Sequence, residues 1–482
     1  MTRKYPERRT KIVATLGPAS CDRETVKDLI LAGMNVARLN FSHGDHETHT
    51  KTLKTVRSVA KELNVIIAVF QDLCGPKVRI TPIKDGEVRL SDDATIRLAH
   101  GTGGETGDEN TLYVEAFDPV EVIKAGERAL LADGRIVLLA EKVEKDSVVC
   151  KIVAGGLLRS RSGIAVPESK LDLDPLTEKD LKDLKWAIKN DVDYIALSFV
   201  QSAADVQKLK GLIKEAGKDI PVISKIERAG SLDCINEIAQ STDAMMVARG
   251  DLGLELPLER VPGAQSLVID TANFLGTPVI TATQLLQSMV TEVRPTRAEV
   301  SDVCTAVMDG TDAVMLSEET AVGKHPARTV EVLSRILVEA EQRMFLLDKP
   351  QPYKSSDRNA VPDAICYAAC GAADKINCQA IIAGTQSGST ARLLSKYRPK
   401  QPLFGATNMK HVLARMALFW GVEPVFVPLD SSSSEEEISA ALETLRDQYG
   451  YKPGSRVVVT AGRTARKTGT TSIMEVREIP RG

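Results

Sequence analysis

At 482 residues, 43% hydrophobic and 26% charged, the chain has enough apolar material for roughly two to four domains with sizeable cores. Its net charge of −3 and pI near 6.2 leave no chain-wide footprint for a nucleic acid or other polyanionic partner. Met1 to Arg9 is charged and lacks the apolar stretch of a secretory leader, and no apolar run reaches membrane-spanning length, so a cytoplasmic protein is expected. The eight cysteines show no C-x-x-C or paired-histidine spacing, which suits reduced thiols; Cys366 and Cys370 read as packing on one helix and Cys74 as an inert thiol. Neither a Walker A pattern nor G-x-G-x-x-G occurs, so the common nucleotide folds gain no support.

Through the first 345 residues, short apolar strands alternate with helical periodicity. The strands are expected at Lys11–Gly17, Asn35–Ser42, Val65–Leu73, Asp193–Val200, Pro221–Glu227, Ala244–Gly253, Pro278–Gln284 and Asp312–Ser317. Helices are expected at Glu47–Leu63, Glu178–Lys189, Ala203–Ala216 and Arg328–Phe345, among others. Eight strands with intervening helices predict a (β/α)₈ barrel, occupying residues 1–75 and 168–347. The third strand instead runs into short β segments: Lys77–Ile80, Glu87–Leu90, Thr95–Leu98, Ala129–Leu139 and Ser147–Val153. They predict a small β-barrel domain, residues 76–167, inserted at the barrel mouth as a lid. A Pro/Lys/Ser linker around 348–357 precedes a third unit, residues 357–482. There, helix Val361–Lys375, strand Gln379–Gly384 and helix Thr390–Tyr397 predict an open-sheet α/β domain. Asp430–Glu437 reads as a loop plus an acidic helix start.

Barrel active sites lie at the C-terminal ends of the strands. The fifth strand ends Lys225-Ile226-Glu227, and alternation puts both charges on the face of Ile223. An internal ion pair and a catalytic role are equally open for that tripeptide alone. The second strand presents Arg38, Asn40 and Ser42 on one face, and the third ends in Asp72. The sixth ends Arg249-Gly250-Asp251, with Arg249 and Asp251 expected to share a face, and the seventh carries Thr283. Glu227 and Asp251 from adjacent strands suit a hard divalent cation such as Mg²⁺. Arg38 suits an anionic oxygen array and Lys225 a point charge on a transferring group. No histidine with an orienting acid and no activated serine is readable, which disfavours acyl transfer. Metal-assisted handling of a small phosphorylated or enolisable acid remains.

The runs TKIVATLGPAS, NVARLNFSHG, VISKIERAG, MVARGDLG, ITATQLLQSM, RPTRAEVSDV and DGTDAVMLSEETAVGKHP, in that order, resemble pyruvate kinases over nearly the whole chain. The resemblance implies phosphate transfer from phosphoenolpyruvate to ADP, the last step of glycolysis, followed by enolate protonation. It implies Arg38 on the substrate phosphate, Lys225 on the phosphoryl group in flight, and Glu227 and Asp251 on Mg²⁺ or Mn²⁺. Gly250 and Asp251 amides, with the Thr283 hydroxyl, would receive the substrate carboxylate, and Thr283 would relay a proton. His43, Arg79 and Lys179 resemble nucleotide-side residues, although Thr177–Asp180 also reads as a helix capping box. Asn40, Ser42 and Asp72 resemble a K⁺ cage, but Leu73 and Lys77 stand where K⁺-dependent members carry Thr and Glu; K⁺-independent activity is expected. Glu318 stands where Gly or Ala is usual. In the last domain, Thr385, Ser387, Gly388, Ser389 and Thr390 form a hydroxyl-rich loop opening a helix, and Arg466 and Lys467 could close over the same anion. A phosphorylated effector is expected there, and the resemblance suggests a homotetramer. A Mg²⁺-dependent C–C lyase of oxo-acids would share the arginine and carboxylates but has no use for a lid or Lys225. A sensor that has lost catalysis is opposed by the intact set Arg38, Lys225, Glu227, Asp251 and Thr283.

Overall fold

A computed structural model describes residues 3–169, 171, 173–347, 353, 360–428, 434–462 and 471–481. Eight parallel strands close a barrel: Lys11–Leu16, Val36–Asn40, Ala68–Asp72, Tyr194–Leu197, Val222–Ile226, Ala244–Ala248, Val279–Ala282 and Ala313–Leu316. Each lies inside its expected span. They are buried almost throughout, which is why they read as unbroken apolar runs rather than alternating ones.

Alternation still decides which way each side chain points. Val36, Phe70, Ala196, Ile223 and Ala282 belong to the cluster that fills the barrel, whereas Leu39, Val69, Ile195, Ile226 and Val247 pack outward under the helices. The inward parity therefore continues to Arg38, Asp72, Ser198, Lys225 and Glu227 at the strand ends. Helix Glu178–Lys189 has its expected bounds because Thr177 and Asp180 complete a reciprocal capping box, and it ends at Asn190.

The sixth strand is shorter than its apolar run. It ends at Ala248, and Arg249–Glu255 is helical. Strand parity between Arg249 and Asp251 therefore does not hold: Arg249 turns away to Asp302 (2.7 Å) and to the carbonyls of Ala282 (3.3 Å), Thr283 (2.7 Å) and Gln284 (3.3 Å).

The insertion contains a six-stranded mixed sheet, ordered Ile164–Ala165, Arg128–Leu131, Ile136–Val143, Val148–Ala154, Thr95–His100 and Thr111–Val114. A separate antiparallel pair joins Glu87–Leu90 to Gly156–Arg159. Single bridges Arg79–Gly163 and Ile80–Val114 link one segment to both ends of the larger sheet and curl it into a small barrel around Ile96, Leu98, Leu138 and Ile152. Lys77–Ile80 contributes these bridges and not the full strand expected.

In the last domain, five strands run in the order Val422–Phe426, Leu403–Thr407, Ala380–Gly384, Arg456–Gly462 and Thr471–Glu478, the last antiparallel. Helix Ala360–Lys375 carries Cys366 inward, where burial raises its thiol pKa, as packing requires. This domain docks on the N-terminal face of the barrel. Arg398 bonds Asp312 (2.6 Å) and Asn273 (3.2 Å), and Lys11 donates to the Val422 carbonyl (2.7 Å). Among the described residues, no helix is long and apolar enough to cross a membrane.

Candidate active site

The inward charges at the C-terminal strand ends form one connected cluster. Arg38 donates from Nε to Asp72 Oδ2 (2.7 Å) and from Nη1 to Thr15 Oγ1 (3.0 Å). Lys225 Nζ lies 2.9 Å from Glu227 Oε1 and 3.2 Å from Asp72 Oδ1, and donates to Ser198 Oγ (2.7 Å). Ser198 in turn donates to the Leu73 carbonyl (2.7 Å), and the Phe199 amide donates to Glu227 Oε2 (2.7 Å). All four charged groups are buried, with Asp72 and Glu227 each 1% exposed. Isolated charges there would be prohibitively desolvated; their pairing makes the arrangement possible.

The electrostatics follow from this geometry. Burial alone would lower the Lys225 pKa, but Asp72 and Glu227 overcome it and hold the group up, so it stays an ammonium. Burial works to raise Asp72, but Lys225 and then Arg38 prevail and hold it below the usual carboxylate value. Glu227 moves the other way: burial pushes it up, Lys225 opposes, and the negative charge of Asp251 adds to the rise. The two carboxylates thus repel one another, which favours a proton or a cation between them.

Asp251 sits in the first turn of helix Arg249–Glu255. One turn on, Glu255 pairs with Arg228 (3.1 Å), which joins the segments carrying Glu227 and Asp251. The Gly250 amide donates to Thr283 Oγ1 (2.8 Å), and that hydroxyl donates to the Ala282 carbonyl (2.6 Å). Thr283 has φ +68° and Gln284 φ +53°. A β-branched residue in the left-handed region is strained, and such strain collects where side-chain placement serves a function.

The family model described as "Pyruvate kinase, barrel domain" matches residues 7–330, and "Pyruvate kinase, alpha/beta domain" matches 363–477. The chain belongs to the pyruvate kinase family. It is 40% identical to pyruvate kinase 2 of Synechocystis sp., over 98% of this chain and 79% of that one. It is 39% identical to the pyruvate kinase of Thermococcus litoralis, over 99% of this chain and 100% of that one. A crystal structure of a pyruvate kinase from Cryptosporidium parvum superposes with a TM-score of 0.89 at 34% identity, covering 98% and 97% of the two chains. The chain is therefore a phosphotransferase with the pyruvate kinase fold.

The remaining residues expected at the site are less tightly gathered. Lys179 donates to the Phe41 carbonyl (2.7 Å) and pairs with Asp183 (2.5 Å), beside the exposed His43. Asp183 also binds His46 Nε2 (2.7 Å), so it organises this rim. Arg79 is exposed and donates to the Arg161 carbonyl (2.9 Å) within the insertion. Asn40 Oδ1 accepts from the Ser42 amide (3.1 Å). Lys77 reaches toward Asp133 of the insertion, at 4.0 Å, while the cations acting on Asp72 are Lys225 and Arg38.

Ser198 and Asp183 escaped sequence reading. Ser198 shares inward parity with Ala196, and Asp183 lies four residues after Lys179, the spacing that brings side chains together on a helix. Glu318 accepts from Gln287 Nε2 (2.9 Å), while its buried neighbour Glu319 accepts from the Ser317 (2.7 Å) and Leu286 (3.2 Å) amides. The acidic pair thus ties the eighth strand end to the loop after the seventh.

In the last domain, Thr385 Oγ1 accepts from the Gly388 amide (2.9 Å), and Thr390 Oγ1 meets Thr471 Oγ1 at 2.7 Å. Gly388, at φ +87°, starts helix Ser389–Lys396. Arg466 and Lys467 lie outside the described residues. Ser387, Gly388 and Ser389 border a cleft of about 1030 Å³ against the N-terminal face of the barrel.

Proposed function

We propose that this chain moves the phosphoryl group of phosphoenolpyruvate to ADP, giving ATP and pyruvate at the end of glycolysis. The observation that carries this reading is the buried cluster Arg38–Asp72–Lys225–Glu227, with Asp251 acting on Glu227 across the same strand ends. The similarity to the pyruvate kinases of Synechocystis sp. and Thermococcus litoralis points the same way.

Arg38 keeps an N–H on each terminal nitrogen beyond its bonds to Asp72 and Thr15, enough to grip two phosphate oxygens. Lys225 is held charged between Asp72 and Glu227, so its ammonium is in place before any substrate arrives; such preorganisation lowers the cost of charge moving between oxygens. Glu227 and Asp251 fit a divalent cation: both are hard oxygen donors, and Glu227, whose pKa is raised first by burial and further by Asp251, ionises more readily with a cation at hand. When bound, Mg²⁺ or Mn²⁺ supplies Lewis-acid polarisation of substrate oxygens. The Thr283 hydroxyl, which donates to the Ala282 carbonyl, would turn to pass its proton toward the enolate carbon and regain one from water, and the Asp251 amide, with the Gly250 amide once released from Thr283, would receive the substrate carboxylate. His43, Arg79 and Lys179 serve the nucleotide, with residues 76–167 acting as a lid over residues 1–75 and 168–347.

Activity without K⁺ belongs to the same proposal. Leu73 is buried and gives no side-chain oxygen to a cage built on Asn40, Ser42 and Asp72, and Lys77, which reaches toward Asp133, supplies no carboxylate to it. Thr385, Ser387, Gly388, Ser389, Thr390, Arg466 and Lys467, in residues 357–482, form the site of a phosphorylated effector in a cytoplasmic homotetramer. Neutralising Arg466 and Lys467 together should abolish activation by any phosphorylated metabolite that activates the parent; unchanged activation removes the effector role.

A coupled assay for ATP, with pyruvate quantified in the same samples, tests the central reaction. Equal amounts of both from phosphoenolpyruvate and ADP are expected. Cleavage of an oxo-acid with no ATP would assign the metal site to a lyase instead.

A further inference from the structure

Away from the strand ends, helices His46–Glu62 and Glu178–Lys189 border a surface groove of about 1120 Å³. The two are joined beneath it by Trp186 Nε1 donating to Thr50 Oγ1 (2.9 Å). Its walls carry Arg23, Lys51, Lys54, Lys182, Lys185 and Lys189, against one carboxylate, Glu47. Arg23 is paired with Glu62. The five lysines are exposed, and none forms an ion pair among the described residues. Four lysines elsewhere on the barrel surface do find carboxylates: Lys27 with Glu62, Lys208 with Asp174, Lys210 with Asp243 and Lys218 with Asp191.

Folding gains nothing from this concentration of charge. Lys51/Lys54 and Lys182/Lys185 are three apart and Lys185/Lys189 four apart on their helices, spacings at which like charges repel. In a chain whose net charge is −3, a local excess of this size creates a positive potential along one groove. Lys182 to Lys189 spans roughly 10 Å of helix axis, so the charges form a track and not a single anion pocket.

We propose that this groove binds a linear polyphosphate chain. Lysine ammonium groups are point charges that accept phosphate oxygens from any direction, whereas planar bidentate recognition would call for arginine. Proteins that hold single-stranded nucleic acid add aromatic faces on which bases stack. The one aromatic ring in the lining other than His46 is Trp186, which is 7% exposed with its N–H committed to Thr50, so the groove offers no platform for bases. A membrane surface would need a set of apolar side chains projecting from the site, and the buried Trp186 is the one large apolar side chain in the lining among the described residues. A base-free polyanion matches what remains, and linear polyphosphate presents on every repeat the phosphate oxygens that lysine point charges suit.

The test uses fluorescence anisotropy of end-labelled linear polyphosphate against the full-length protein across a salt series. Three variants accompany the wild type: all five groove lysines changed to Gln, the same five changed to Arg, and a control with Lys84, Lys142, Lys214, Lys324 and Lys452 changed to Gln, all exposed positions elsewhere. The wild type should bind, with log K falling linearly against log salt. The groove Gln variant should lose at least tenfold in affinity and shallow that slope by roughly three, with kinase activity unchanged; the Arg variant and the control should bind as the wild type does. Absence of binding at low salt, or equal loss in the control, overturns the proposal. Competition by poly-glutamate or single-stranded RNA at equal or lower charge concentration also overturns it, in favour of an acidic protein or a nucleic acid.

Discussion

Lys225 Nζ lies 2.9 Å from Glu227 Oε1, and both side chains point into the same barrel mouth because Glu227, one residue past the strand Val222–Ile226, continues the alternation that Lys225 follows. The pair shares its surroundings with Asp72 on one side and Asp251 on the other. Lys225 is thus the cation on which two carboxylates depend directly. Changing it to Met should reduce kcat about 100- to 1000-fold, the usual cost of losing one preorganised charge at a transition state. Mn²⁺ affinity, read by electron paramagnetic resonance without substrates, should be retained or tightened, since Glu227 loses a competing cation. Loss of Mn²⁺ binding together with activity would show that Lys225 shapes the metal site and not the transferring group.

Thr283 combines a strained backbone with a hydroxyl bonded on two sides. Changing it to Ala should lower turnover, with the loss concentrated in enolate protonation, which proton exchange at the pyruvate methyl group reads separately from ATP formation. Thr283→Gly should be as inactive yet more stable than Thr283→Ala by about 1 kcal/mol in urea unfolding, because Gly tolerates the left-handed conformation. Equal stability of the two variants would remove the strain argument.

Leu73 and Lys77 lead to a prediction about ions. Replacing K⁺ by tetramethylammonium should leave the wild-type rate unchanged. The double change Leu73→Thr, Lys77→Glu should create a K⁺ requirement, with activity falling at least tenfold in its absence. A wild-type enzyme that stops without K⁺ contradicts the proposal.

Much of this site was legible because barrel strands fix direction by parity: once Ile223 is core, Lys225 and Glu227 follow. Parity failed where the strand stopped. The run MMVARGDLG looks extended throughout, but the chain turns helical at Arg249, which sends Arg249 to Asp302 and leaves Asp251 to face Glu227. Ser198 was missed because a lone serine at a strand end carries no signal until the strand beside it is known. Strand Thr111–Val114 was missed for a related reason: four residues are too few to show a period, and it exists through pairing with Thr95–His100. Lys77 shows the same limit, since its partner Asp133 lies 56 residues on within the insertion.

Lys11 gives a pH dependence outside the active site. It is buried, donates to the Val422 carbonyl, and burial depresses its pKa from 10.5 to about 8 despite the opposing charge of Glu423. Between those values the unfolded chain holds a proton that the folded chain has released, so stability rises with pH across this window. The contribution is about 3 kcal/mol by pH 10.5. In the difference between wild type and Lys11→Met, unfolding free energy should show this rise from pH 8 upward; a flat difference would mean that Lys11 stays charged when buried.

Glu227 and Asp251 are proposed to hold the divalent cation together, beside Lys225. Titration of Mn²⁺ into wild type, Glu227→Gln and Asp251→Asn, alongside assays of pyruvate formation, tests it most directly. One tight ion per chain in the wild type, weakened at least tenfold in each variant with a matching loss of pyruvate, is the predicted result. Folded variants that bind Mn²⁺ as tightly as the wild type, or that make pyruvate at the wild-type rate, would contradict it.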